Sequence, residues 1–160
     1  MDRAVFRDDD MTWTVEHAEE IHRVAPALGL DPAEVADMIQ AIRAAEEPIP
    51  LVHPEEQDLR ENYRIVSGGE TVGAVTVVEE APLVGFGSTW QIDVFVYERA
   101  RSKGLAAWAV GEVLRQHPER SWEAIVKHDN PFQKHVVSML ERLGFEEQDN
   151  VGGRYFVRRP

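Results

Sequence analysis

Arg101-Ser102-Lys103-Gly104-Leu105-Ala106 is the stretch whose residue types and spacing say most about chemistry. It lies between a run of β-branched and aromatic residues, Thr89 to Tyr97, and an apolar-periodic run beginning near Gly104. A turn that opens a helix points several main-chain N–H groups one way, and the macrodipole makes that end positive. Such an end suits a phosphate or pyrophosphate. Gly104 removes a Cβ from the path of an approaching ligand, and Arg99, Arg101 and Lys103 add positive charge. The stretch is neither a Gly-x-x-x-x-Gly-Lys-Ser/Thr loop nor a Gly-x-Gly-x-x-Gly turn. Taken alone, it reads equally well as an ordinary strand-to-helix turn with solvated bases. His17 and His22 are not spaced as an i, i+4 metal pair, and a surface position is expected for both. The four tryptophans read as core or interface residues.

The elements that must position this turn follow from periodicity. Ile21, Val24, Ala25 and Leu28 predict a helix within Val15–Leu28 that stops at Gly29. Asp31-Pro32-Ala33-Glu34 carries the cap, first-position proline and capping-box acid of a second helix. Its buried stripe is expected at Val35, Met38, Ile39 and Ile42. The period then changes. Tyr63–Ser67 and Thr71–Val78 form a hairpin around Gly68-Gly69, and Thr89–Tyr97 is the strongest strand in the chain. Ala106, Ala109, Val110, Val113 and Leu114 line one face of the next helix. A strand at Trp122–Lys127 follows, then a helix over Pro131–Leu143, with Gly144 at its C′ position. Two strands close the chain around a Gly152-Gly153 turn. The predicted order α-α-β-β-β-α-β-α-β-β is a mixed α/β fold, a central sheet flanked by helices.

The 160 residues read as one domain, 1–160, with an acidic helical part over 1–47 and a sheet-bearing part over 60–159. Hydrophobic content of 43% and charged content of 29% are those of a globular protein. The absence of cysteine excludes disulfides, thiolate metal sites and a cysteine nucleophile. No run approaches a membrane span and no secretory h-region opens the chain, so a cytoplasmic protein without a membrane partner is expected. The net charge of −12 argues against a nucleic-acid partner. Its distribution is uneven: residues 1–80 carry 19 acids and 6 bases, residues 81–160 carry 10 acids and 11 bases. That reads either as a well-solvated surface or as a first half suited to a cationic partner and a second half tolerant of an anionic one.

Arg101, Gly104 and Ala106 form an R-x-x-G-x-A pattern after a hydrophobic strand. This resembles the acyl-CoA pyrophosphate loop of the GNAT superfamily of N-acetyltransferases. Asn130 after a strand, followed by a helix ending Leu140-Glu141-Arg142-Leu143-Gly144-Phe145, resembles that family's downstream signature. The hairpin SGGETVGAVTV is similar to its second and third strands. The resemblance covers roughly residues 60–159.

The resemblance implies a GNAT-like fold and an acyl-CoA-dependent N-acyltransferase that uses acetyl-CoA as co-substrate and no metal. It places the pantetheine arm along Val94, Phe95 and Val96, where a splayed strand frees main-chain groups for a β-like pairing. It places the pyrophosphate on the N–H groups of Ser102, Lys103, Gly104, Leu105 and Ala106, and assigns Asn130 to the cofactor arm. Asn130-Pro131 also reads as a cap and turn. Many family members carry a Tyr as acid toward the leaving thiolate and a Glu early in the central strand. Here Leu140 stands at the first position and Gln91 or Trp90 at the second. A protonated amine must still lose a proton before it attacks. Asp93 and His128 are the candidates to take it, while His135 and Ser138 lie on the less apolar side of their helix. The first helices would form an acidic wall of the acceptor site, favouring a cationic primary amine. An exposed edge strand near Phe156 would suit a homodimer. The alternative is a non-catalytic acyl-CoA-binding regulatory module.

Overall fold

The computed structural model describes residues 2–9, 14–44, 60–80, 89–101, 104–126, 132–148 and 154–160. Its strands are β1 (Arg3–Arg7), β2 (Arg60–Ser67), β3 (Glu70–Glu80), β4 (Thr89–Val96), β5 (Ser121–Val126), β6 (Glu146–Gln148) and β7 (Arg154–Arg158). Its helices are α1 (Thr14–Val24), α2 (Pro32–Ala44), α3 (Leu105–Gln116) and α4 (Gln133–Arg142). The strands form one sheet in the order β1-β2-β3-β4-β5-β7-β6. Every neighbouring pair is antiparallel except β4 and β5, which run parallel.

The expected mixed α/β architecture is met, with one strand added. β1 precedes the helices and pairs with β2 from Arg3↔Ser67 to Arg7↔Tyr63. Its five residues, RAVFR, carry too little apolar alternation to stand out in sequence, and only Val5 among them is partly buried. The strand of Phe156 is not an edge. β7 lies between β5 and β6, Phe156 is buried, and the sheet edges are β1 and β6. Gly68 and Gly69 both have positive φ, as a two-residue hairpin turn requires.

β4 alternates cleanly. Trp90, Ile92, Val94 and Val96 join the main core, where Leu105, Ala109, Val110, Val113 and Leu114 of α3 are buried. Gln91, Asp93 and Phe95 therefore point to the opposite face. On that face α1 and α2 pack on each other around Ala18, Ala25, Val35 and Ile39. Asp31 caps α2 as expected, its Oδ1 accepting from Ala33 N–H at 2.9 Å. Met38 departs from the expected stripe and is exposed. Gly144 ends α4 with positive φ, and Phe145 N–H donates back to the Leu140 carbonyl at 2.9 Å.

Candidate functional site

The site is made by a parting of strands. β4 and β5 pair only at Thr89↔Ser121, Trp90↔Trp122 and Gln91↔Glu123. Beyond that point β4 stays on β3 as far as Val96↔Gly73, and β5 stays on β7 as far as Val126↔Arg154. The C-terminal halves of the two parallel strands therefore stand apart. Gly73 permits the β3–β4 approach: a Cβ there would lie 2.3 Å from the Phe95 carbonyl oxygen. The need for glycine is a close main-chain contact, which the sequence run VGAV does not announce.

The register fixes which groups of β4 line the opening. Tyr97 N–H donates to the Val72 carbonyl at 2.8 Å, so the odd-numbered residues of β4 direct their main-chain groups to β3. Val94 and Val96 direct theirs into the opening. Val94 N–H donates to Asp93 Oδ1 at 2.9 Å, and the Val96 carbonyl accepts from Arg101 Nε at 3.2 Å. Both contacts are made by side chains where a neighbouring strand would otherwise supply main chain.

At the far end of the opening stands the N-terminus of α3. Gly104 caps it at φ 70°, with no side-chain cap hydrogen bond. A Cβ on Gly104 would meet nothing within 4 Å, so glycine serves the left-handed backbone there rather than relieving a contact with the protein. Leu105 is buried and Ala106 half-buried at the first turn. Arg101 lies with its guanidinium 4.8 Å from the Phe132 ring and 5.8 Å from the Phe95 ring, bridging β4 to the start of α4. Ser102, Lys103, His128 and Asn130 lie outside the described residues.

Arg99 has another task than the one its charge suggested. It donates to the Thr71 carbonyl at 2.8 Å and to Glu20 of α1 at 2.5 Å, with Glu16 at 3.5 Å. It thus fastens α1 to the sheet. Of the three bases expected at the turn, Arg101 faces the opening, Arg99 is paired elsewhere and Lys103 is not described.

Solved structures share this fold. A ribosomal-protein-alanine N-acetyltransferase from Brucella melitensis superposes with a TM-score of 0.65 at 15% identity, over 98% of this chain and 99% of that one. An acetyltransferase of the GNAT family from Streptococcus pneumoniae gives 0.58 at 10% identity, over 98% and 97%. The PaiA N-acetyltransferase from Thermoplasma acidophilum in complex with coenzyme A gives 0.64 at 12% identity, over 100% of both chains. The chain has the GNAT fold. No protein-family model matches the sequence, and no curated protein matches it.

Within the GNAT fold, the face of the sheet toward α1 carries groups that sequence reading passed over. His17 is buried, contrary to the surface position expected from a histidine among acids. Its Nδ1 lies 3.3 Å from the Tyr97 hydroxyl, and its ring meets the edge of Phe95. Burial pulls its pKa down to about 4, so it is neutral near pH 7. The periodic signal pointed to Ile21 and Val24, yet Glu20 is also buried on α1, answered by Arg99.

Glu80 and Glu123 form a second missed group. Glu80 is the Cα partner of Thr89 and Glu123 that of Gln91, which sets both on the face shared by Gln91 and Asp93. Tyr155 donates from its hydroxyl to Glu123 Oε2 at 2.5 Å. The hydrogen bond to Glu123, with some burial and charge repulsion, lifts the Glu80 pKa to about 7. Burial and the hydrogen bond to Glu123 lift the Tyr155 pKa to about 12. The three residues come from β3, β5 and β7, so no local spacing could reveal them. Leu140, at the position where the resemblance would place a tyrosine acid, is buried in the main core, while His135 and Ser138 are exposed. Among the described residues no helix is long and apolar enough to cross a membrane.

Proposed function

We propose that this protein is an acyl-CoA-dependent N-acyltransferase that transfers the acetyl group of acetyl-CoA directly to a primary amine of a cationic small molecule or peptide. The observation that carries this reading is the parting of β4 from β5 after Gln91↔Glu123. It leaves main-chain groups of Val94 and Val96 directed into a cleft that ends at the N-terminus of α3. An amide-bearing arm can add along such an edge, and a diphosphate can sit on unpaired helix N–H groups. The GNAT fold and the Arg101/Gly104/Ala106 pattern agree with this use of the cleft.

In this reading Val94, Phe95 and Val96 hold the pantetheine arm, with Asn130 as a further contact. Ser102, Lys103, Gly104, Leu105 and Ala106 supply N–H groups to the pyrophosphate. Acetyl-CoA brings the activated acyl group. Catalysis by this chain then rests on positioning, on polarising the thioester carbonyl against a strand N–H, and on taking a proton from the incoming ammonium. Asp93, exposed on the α1 face beside the parting, is the proton acceptor favoured by position, with His128 as the other candidate. A cationic acceptor is supported by the acidic first half and by Asp93 on that face.

Calorimetry with acetyl-CoA, followed by thiol release over a panel of polyamines, aminoglycosides and lysine-rich peptides, tests the proposal. Saturable binding with turnover on a cationic amine is the expected result, and absence of binding overturns it. Buried Leu140 favours one other reading, a non-catalytic acyl-CoA-binding regulatory module. Tight binding with no turnover on any amine would select it.

A further inference from the structure

Two side chains of this protein occupy the open edge of β4, one as an acceptor and one as a donor. Val94 N–H is a donor that meets a carboxylate oxygen of Asp93. The Val96 carbonyl is an acceptor that meets a guanidinium N–H of Arg101. Val94 and Val96 lie ~7 Å apart along the strand, with the N–H and the carbonyl at the outer ends of that span. An acyl thioester on an arm that carries amides would offer partners of the same kinds in the same order: a carbonyl oxygen to Val94 N–H and, further along the arm, an amide N–H to the Val96 carbonyl.

We infer that Asp93 and Arg101 are stand-ins for acyl-CoA, holding the edge of β4 in the unliganded protein, and that the arriving acyl carbonyl displaces Asp93 from Val94 and so makes its carboxylate available as the base. The inference rests on the proposed acyl-CoA reading and deepens it. While Asp93 holds Val94 N–H, its carboxylate is turned along its own strand and toward the place the acyl oxygen would take. Once displaced, it remains on the α1 face beside the parting, where the amine would enter. There an ammonium N–H bond breaks as a carboxyl O–H bond forms, and the electron pair stays on nitrogen. The C–N bond then forms as the C–S bond breaks. CoA leaves as its thiolate, the second amine proton is given up to water, and the thiolate is protonated from solvent. Asp93 finally returns its proton to solvent and regains Val94.

This arrangement makes the order of binding a property of the strand. Coenzyme A without an acyl group can displace Arg101 from Val96 but has no carbonyl to displace Asp93. The amine therefore meets a competent base only when there is an acyl group to receive it.

Amide NMR and hydrogen exchange at Val94, together with calorimetry, test the inference on the full chain. In the unliganded protein, Asp93→Ala should lower Val94 exchange protection at least ~10-fold, and acetyl-CoA should restore it. In the wild type, the Val94 amide resonance should move with acetyl-CoA and stay nearly still with coenzyme A. Asp93→Ala should tighten acetyl-CoA binding ~2- to 10-fold by removing the competing contact, with coenzyme A binding unchanged. Asp93→Asn can still accept from Val94, so it should keep acetyl-CoA affinity within ~3-fold while kcat falls ~100-fold or more. Equal Val94 shifts with the two ligands, unaltered protection in Asp93→Ala, or full kcat in Asp93→Asn would each overturn the inference and leave the acyl-CoA reading standing. Failure of both ligands to bind would overturn both.

Discussion

The two ends of α3 meet the same sheet and are built on opposite principles. At the C-terminal end, Arg120 grips Glu61 with two hydrogen bonds of 2.9 Å. Tyr63 donates to the same carboxylate at 2.9 Å and lies 3.0 Å from His117, while Arg120 stacks 3.5 Å from the centre of the Trp90 ring. Burial works to raise the Glu61 pKa, but the hydrogen bonds from Arg120 and Tyr63 hold it below the ordinary carboxylate value. Every partner there is a permanent part of the chain. At the N-terminal end, the helix has no side-chain cap and the adjoining strand edge is held by Asp93 and Arg101. A closed, fully satisfied network rigidifies one end, and a strand edge held by side chains is the end the proposed function assigns to a ligand.

The comparison is broken most severely at the closed end. Arg120→Ala leaves the buried Glu61 carboxylate without its bidentate partner and should cost about 3 kcal/mol or more of unfolding free energy in urea titration. Acetyl-CoA affinity should change by less than ~2-fold, since the two ends are not coupled through shared partners.

The wall of the open end supplies the next effect, through pH. Burial holds the His17 pKa near 4 against an ordinary 6.5, so the folded state favours the neutral ring. Its contribution is complete above pH 6.5 and is lost as pH falls toward 4, a span of roughly 3 kcal/mol. Unfolding free energies measured across that window should decline less steeply in His17→Phe.

Gly104→Glu sharpens the contrast. It places a carboxylate at a helix end suited to an anion and an L-residue at φ 70°, and the acetyl-CoA Kd should rise at least ~100-fold by calorimetry. The Arg120 network should remain intact by the same unfolding assay, apart from the ~1–2 kcal/mol of backbone strain.

The smallest effect is expected at Glu80. Its raised pKa favours the protonated form in the folded state. That contribution is full below the ordinary carboxylate value of 4.5 and is lost as pH rises through about 7. Because the side chain is exposed, solvent screening keeps it modest. Glu80→Gln should flatten this part of the stability profile, as read from thermal midpoints between pH 4.5 and 7.

Much of the fold was legible because its signals are local. The β-branched and aromatic run Thr89–Tyr97, the Gly68-Gly69 turn, the Asp31 cap and the Gly144 stop each lie within a few residues, and each recurs in the structure, the strand ending at Val96. β1 escaped because an edge strand with charged ends carries little alternation. The turn proposed to hold the cofactor is drawn from an equally local pattern, since Arg101, Gly104 and Ala106 are neighbours. His17, the Glu80–Glu123–Tyr155 group and the contact that requires Gly73 were not. Each depends on which strand lies beside which, and a buried histidine on an acidic helix shows its burial only once Phe95 and Tyr97 are known to face it.

The attachment of α1 by Arg99 has a consequence for redesign. The helical pair has its own small apolar centre, and Arg99 ties it to the sheet through two carboxylates and a carbonyl. A replacement pair that kept acids at positions 16 and 20 would find the same anchorage. On the proposed function, acceptor preference could then be exchanged as a cassette, with the strand edge and the Arg101–Ala106 turn left as they are.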